Sequence, residues 1–325
     1  MRNGSLFPSS RLWRRAAQAA LALSLGAAGV GACAAPSILF IGNSFTYGQG
    51  SAVQTYQPNT VTDLNGGGIG GIPALFKAFT QQAGLSYNVS LETVGGSGLD
   101  LHYNTKQALI NKPWDNVVMH TFSTLDAAAP GDPTKLLQYS SLLADMFVAQ
   151  NADVNVQLMA TWSRADQTYP AGRPWYGESI YQMALDVYAG YALADAASDN
   201  IHGVIPVGLA WNMAMAQGFA DPNPYDGIAP GLVNLWASDS YHASQYGSYL
   251  EALVVFGQVT GLDPRSLGSS ETAAAALGIT GAQARRMQEL AYQQLALSEV
   301  PEPASALLVL SGGLAMLWVR RRRQR

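Results

Sequence analysis

Ser44, Asp239 and His242 are the side chains of this sequence whose types and spacing could do chemistry together. Ser44 stands in Ile41-Gly42-Asn43-Ser44-Phe45-Thr46, directly after the apolar run Ile38-Leu39-Phe40-Ile41. That run reads as a buried strand, and a small-residue turn at its end would put the Ser44 hydroxyl at the C-terminal edge of a sheet, where open α/β sheets carry their ligands. Asp239-Ser240-Tyr241-His242 supplies a carboxylate and an imidazole three residues apart. A carboxylate that orients an imidazole, and an imidazole that deprotonates a serine, make an acyl-transfer centre that calls for neither cofactor nor metal. Each segment alone has a plainer reading: Ser44 as a turn residue or helix cap, and Asp239 as a cap for a helix beginning near Gln245.

The elements that must position these residues alternate. A polar, Gly-rich loop from Tyr47 to Gly71 leads to a helix near Pro73–Ala83. Strands are expected at Tyr87–Val94, Asn116–Met119, Asn155–Ala160 and Val204–Val207. Helices are expected near Thr134–Ala149, from Trp175 to about Ala197, through Ala216, and at Gln245–Val259. Such alternation specifies a parallel sheet with helices on both faces, a single flavodoxin-like three-layer α/β/α domain over residues 35–268. Residues 269–299 read as a helical segment that either packs on the domain or forms a stalk.

The joint placement of the two blocks resembles the SGNH (GDSL-like) hydrolases, whose nucleophilic serine follows the first strand and whose Asp-x-x-His block lies near the end of the domain. The resemblance spans most of residues 37–265 and is strongest at the serine block and at Asp239–Pro264. It implies Ser44 as nucleophile, His242 as general base and Asp239 as its orienting carboxylate. It also implies an oxyanion hole from the Ser44 backbone N–H and, in Val94-Gly95-Gly96-Ser97-Gly98, the Gly96 N–H. The family's third block, Gly-x-Asn-Asp, is missing. The matching strand end reads Met119-His120-Thr121-Phe122, so His120 is the candidate side-chain donor, against a structural role for a lone histidine.

Asn43, His102, Trp162 and Arg164 are candidate substrate contacts from the loops at the same sheet edge. For His102 and for the aromatic Trp162 and Trp175, ordinary packing is the competing assignment. Gly66 to Gly71 satisfies a Gly-x-Gly-x-x-Gly pattern, but no strand precedes it, which excludes a dinucleotide site. The function read from these residues is an ester hydrolase working through an acyl-enzyme. Its proposed substrate is O-acetylated extracellular carbohydrate; the alternatives are a catalytically silent binding protein and a lysophospholipase or thioesterase of the same fold.

The two ends point out of the cytoplasm. Arg11-Leu12-Trp13-Arg14-Arg15, an apolar stretch and Ala32-Cys33-Ala34 have the order of a secretory signal peptide over residues 1–34, with a lipidated Cys33 as the second choice. Val300-Pro301-Glu302-Pro303, an apolar run to Val319 and a tail of arginines resemble a PEP-CTERM sorting signal over residues 300–325. The partners implied are signal peptidase and an exosortase, with transient membrane anchoring before release to the cell surface or matrix of a Gram-negative bacterium. The whole chain has 18 basic and 22 acidic residues; the two ends hold nine of the basic residues and one acid, which leaves the body at net −12. That charge argues against a nucleic-acid partner. Cys33 is the sole cysteine, so the body has no disulfide, and four scattered histidines offer no Cys/His metal site.

Overall fold

Strand β1 (Ser37–Gly42) is apolar from Ile38 to Ile41 because it is buried on both faces, the usual condition of a central strand in a parallel sheet. A computed structural model of the chain describes residues 34–298; the expected signal peptide and sorting signal, including Cys33 and the apolar run after Pro303, lie outside the described residues. Strands β2 (Thr62–Asp63), β3 (Asn88–Thr93), β4 (Asn116–Met119), β5 (Asn155–Met159) and β6 (Val204–Ile205) complete a six-stranded sheet in the order β2-β3-β1-β4-β5-β6. Every pairing is parallel.

The helices in chain order are α1 (Ser44–Tyr47), α2 (Gly71–Gln82), α3 (Leu99–Thr105), α4 (Gln107–Ile110), α5 (Thr134–Val148), α6 (Ala165–Thr168), α7 (Gln182–Ala196), α8 (Val207–Ala216), α9 (Gln245–Thr260), α10 (Thr272–Ala276) and α11 (Gly281–Ser298). The period-two alternation of β1 divides the core. Ile38 and Phe40 join the cluster built with α2, α8 and α9, while Leu39 and Ile41 join the one built with α3, α5 and α7. This is the three-layer α/β/α arrangement expected from the alternating pattern.

Two elements differ from the sequence expectation, and one alternative it left open is decided. The helix expected from Trp175 begins at Gln182 instead, because Pro174 and a left-handed Gly177 turn the chain first and Trp175 is held by its indole N–H to Asp186 (2.8 Å). The Tyr47–Gly71 loop contains the edge strand β2, too short and too polar to show a pattern. Of the two placements open to the C-terminal segment, the described part packs on the domain: Met287, Leu290, Ala291 and Leu295 of α11 are buried in the same core as α9. Among the described residues no helix is long and apolar enough to cross a membrane.

Candidate active site

Strand order reverses beside β1, whose neighbours β3 and β4 are reached by crossovers on opposite sides, and the C-terminal ends of these three strands converge. Asn43 organises that convergence. Its Oδ1 caps α1 by accepting the Phe45 N–H (3.2 Å), and its Nδ2 donates to the carbonyls of Ser97 (2.9 Å) and Thr121 (3.2 Å). One buried amide therefore ties the loop after β1 to the loops after β3 and β4. That use consumes the group expected to touch substrate. Ser44 is the first residue of α1, 6% exposed, and its hydroxyl makes no hydrogen bond among the described residues.

His242 and Asp239 sit on the loop that enters α9. Asp239 Oδ2 lies 2.6 Å from His242 Nδ1, and Oδ1 accepts the backbone N–H groups of Tyr241 (3.0 Å) and His242 (2.9 Å). Burial works against the charge on Asp239, but these hydrogen bonds and the imidazole outweigh it and hold the carboxyl below its usual range. The ionised carboxylate fixes the proton on Nδ1 and leaves Nε2 as the basic nitrogen. That Nε2 is buried and has no hydrogen-bond partner among the described residues. The plainer reading of Asp239 as a helix cap fails, because Ser244 caps α9 by accepting the Tyr246 and Gly247 N–H groups.

Aromatic groups fix the loop. The Tyr241 ring packs at a tilt against His242 with centroids 4.0 Å apart, Trp162 donates to the Tyr241 carbonyl (3.2 Å), and Trp236 donates to the Ser163 carbonyl (2.9 Å). Trp162 is fully buried between Phe45 (4.3 Å) and Trp211 (4.5 Å), so it is a core residue and not an exposed substrate contact. Ser240 adopts a left-handed φ of 57°, a strained conformation that lets the segment turn between Asp239 and His242. Nothing in the sequence announces it.

His120 is fully buried, with Nδ1 2.9 Å from the Thr121 carbonyl and Nε2 2.8 Å from the Thr46 hydroxyl and 3.4 Å from the Asn43 N–H. A carbonyl only accepts, so Nδ1 carries the proton and Nε2 accepts. Burial pushes this imidazole down to about 4, against the pull of its hydrogen bond to the Thr121 carbonyl, so it is neutral near pH 7. In that state no ring N–H remains for an oxyanion, and the side-chain donor expected at this position is not supplied. His120 instead buttresses the serine turn: a Cβ on Gly42 would fall 2.2 Å from its Nε2.

Gly96 is exposed at the tip of the turn after β3 with φ +66°, a conformation suited to glycine, and no atom lies within contact range of a Cβ built there. Tyr47, not singled out from the sequence, reaches the same turn, since a Cβ on Gly95 would lie 2.8 Å from its hydroxyl. His102 is fully buried and faces Glu92 and Ser97, so it does not line a cleft. Arg164 lies with its guanidinium 3.5 Å from the Tyr241 ring centroid, forked onto Asp166 (2.9 and 2.6 Å). It helps line a pocket of about 390 Å³ shared by Ser123, Thr124, Gln167, Arg173 and Tyr241. Among the described residues no cluster of His, Cys, Asp and Glu could hold a metal ion.

No family model matches the chain, and no curated protein matches it. Solved structures do. A DUF4886 family protein from Bacteroides uniformis ATCC 8492 superposes with a TM-score of 0.56 at 15% identity, covering 84% of this chain and 99% of that chain. The two chains share the α/β fold. Looser matches include a putative GDSL-like lipase from Parabacteroides merdae ATCC 43184 (TM-score 0.48, 14% identity, 70% of this chain and 95% of that one). A Clostridium thermocellum family 3 carbohydrate esterase matches with a TM-score of 0.44 at 13% identity, covering 68% and 94%.

Proposed function

We propose that the protein is an exported SGNH-type serine ester hydrolase. The observation that carries this reading is the Asp239–His242 pair, with its basic Nε2 buried and unpaired, on the same sheet edge as the unengaged Ser44 hydroxyl. In this reading Ser44 Oγ attacks an ester carbonyl while His242 Nε2 takes its proton. The tetrahedral oxyanion is held by the backbone N–H groups of Ser44 and Gly96. Collapse releases the alcohol, protonated by His242, and water then attacks the acyl-enzyme with the same base.

The pocket beside Tyr241 sets hydroxyl, amide and guanidinium groups among apolar ones from Phe122, Ala127, Pro130 and Pro174, a mixed lining that can take the hydroxyls and the apolar face of a sugar. We therefore favour O-acetylated carbohydrate as substrate. A second reading, a silent binding protein of the same fold, draws on one observation: His120 leaves the oxyanion without a side-chain donor. The end signals support export, with signal peptidase and an exosortase as processing partners.

The deciding experiment exposes the purified chain to a fluorophosphonate probe and to p-nitrophenyl acetate, beside Ser44→Ala and His242→Ala. Labelling and turnover by the wild type, both lost in the two variants, are expected. An unlabelled wild type would favour the silent reading, and faster hydrolysis of octanoate than acetate would favour the lysophospholipase or thioesterase alternative.

A further inference from the structure

Glu92, His102 and Ser97 form a second Ser-His-carboxylate line, closed to substrate. All three are at most 2% exposed. His102 Nδ1 is hydrogen-bonded to Glu92 Oε2, and His102 Nε2 lies 2.8 Å from Ser97 Oγ. Ser97 Oγ lies 2.7 Å from the Val94 carbonyl, which closes the Val94–Ser97 turn. The other Glu92 oxygen accepts from Asn65 Nδ2 (2.9 Å) and lies 3.7 Å from Lys106 Nζ, while Lys106 donates to Asn65 Oδ1 (2.8 Å).

Proton accounting limits the states of this line. A hydroxyl has one proton, and the Val94 carbonyl can only accept, so that proton goes to Val94 and Ser97 Oγ accepts from His102 Nε2–H. At the other ring nitrogen the carboxylate can only accept, so Nδ1 also carries a proton. Beside an ionised Glu92, a neutral His102 would set a lone pair against the carboxylate, or else turn the Ser97 proton to Nε2 and leave two oxygens facing each other 2.7 Å apart. Two states satisfy all contacts together: an imidazolium paired with a glutamate, or a glutamic acid donating to a neutral Nδ1; the Asn65 amide and the Lys106 ammonium at the other Glu92 oxygen favour the ionised pair. For Glu92, burial pushes the carboxyl up, yet the His102 hydrogen bond and charge, with Asn65 and Lys106, hold it below its usual range.

We propose that Glu92 and a doubly protonated His102 form a buried ion pair that positions the Gly95–Gly98 turn and presents the positive end of its dipole to that turn. This rests on the hydrolase reading with Gly96 as an oxyanion donor, and makes His102 and Ser97 positioning residues. The path to the serine is short. The Ser97 carbonyl accepts Asn43 Nδ2, and Asn43 caps the helix that begins with Ser44. The relative placement of the Ser44 and Gly96 N–H groups thus runs through Asn43 and Ser97 to His102. Such an arrangement offsets the missing third-block donor, since a fixed backbone donor in a low-dielectric site needs no reorganisation when charge develops.

The test uses the purified chain and three variants, Ser97→Ala, His102→Gln and Ser97→Ala/His102→Gln, with kcat on p-nitrophenyl acetate expressed per fluorophosphonate-titrated serine. Ser97→Ala should lower kcat about 10- to 100-fold with KM changed less than about twofold, because the lost alignment is felt in the transition state. The double variant should be no slower than the worse single variant, the mark of residues acting in one chain. Titrating the active serine removes any misfolded fraction from the comparison. Nitrogen-15 NMR of the wild type should show protons on both ring nitrogens of His102. An unchanged kcat per titrated serine in Ser97→Ala, or a singly protonated His102, overturns the proposal. A wild type that neither labels nor turns over defeats the hydrolase reading itself, and the proposal with it, while the NMR result separately reports the ion pair.

Discussion

Asp239 Oδ2 lies 2.6 Å from His242 Nδ1 while Asp239 Oδ1 receives two backbone N–H groups, so the carboxylate has no freedom to rotate and the imidazole has one tautomer. An Asp239→Asn chain would keep its amide oxygen on the two backbone donors and turn its NH2 toward Nδ1. That forces the proton onto Nε2, the nitrogen that must accept from Ser44. The expected result is a fall in kcat of about 10³- to 10⁴-fold with KM little changed. Steady-state kinetics on p-nitrophenyl acetate checks it, and a loss below tenfold would remove Asp239 from the mechanism.

Gly42→Ala tests the buttress under the serine turn. The added methyl would fall 2.2 Å from His120 Nε2 and 2.6 Å from Thr46 Oγ1, and His120 is held by hydrogen bonds at both ring nitrogens. Displacing it should cost about 1–3 kcal/mol, the usual range for overpacking a filled core. A lowered midpoint of urea unfolding with unchanged slope is the expected reading. An unchanged midpoint would show that His120 can move aside freely.

The sequence exposed some of this and hid the rest, for physical reasons. Strands β1 and β4 were legible as apolar runs left by burial on both faces, and β3 and β5 by apolar residues at alternate positions (Val89 and Leu91, Val156 and Leu158), whereas Thr62–Asp63 at the sheet edge carries neither signal. Asp239 and His242 were legible because they are neighbours in the chain. Glu92, Ser97 and His102 were not, since a strand end, a turn and a helix bring them together through three-dimensional packing. Trp162 was ambiguous from its position after β5, and only the stacking of Phe45 and Trp211 on its two sides assigns it to the core.

His120 makes stability depend on pH. Its folded value of about 4 lies below the unfolded value of 6.5, so between these the unfolded chain binds more protons. Its contribution is therefore full above pH 6.5 and is lost as pH falls toward 4. For this fully buried ring the loss amounts to about 3 kcal/mol. His120→Gln, whose amide oxygen can accept from Thr46 and Asn43, should flatten the acid side of the stability curve while leaving esterase activity at pH 7 within about threefold. Denaturant melts at pH 4.5 and 7 measure the first, and kinetics the second. An acid limb of equal steepness in both proteins would exclude His120 as its source.

Glu251 gives the opposite slope. It lies on α9, fully buried, and neither carboxyl oxygen has a hydrogen-bond partner among the described residues. Burial raises its carboxyl well above the ordinary value of 4.5, so it is neutral in the fold at pH values where the unfolded chain has ionised. The folded state then binds more protons, and the contribution is full below pH 4.5 and declines as pH rises. Glu251→Gln keeps the shape and removes the titration. Its stability relative to the wild type should therefore rise between pH 4.5 and pH 8, read as a growing difference in urea midpoint. A difference that stays constant across that interval would mean that Glu251 is ionised inside the fold, and the core around α9 would then have to supply a counter-charge.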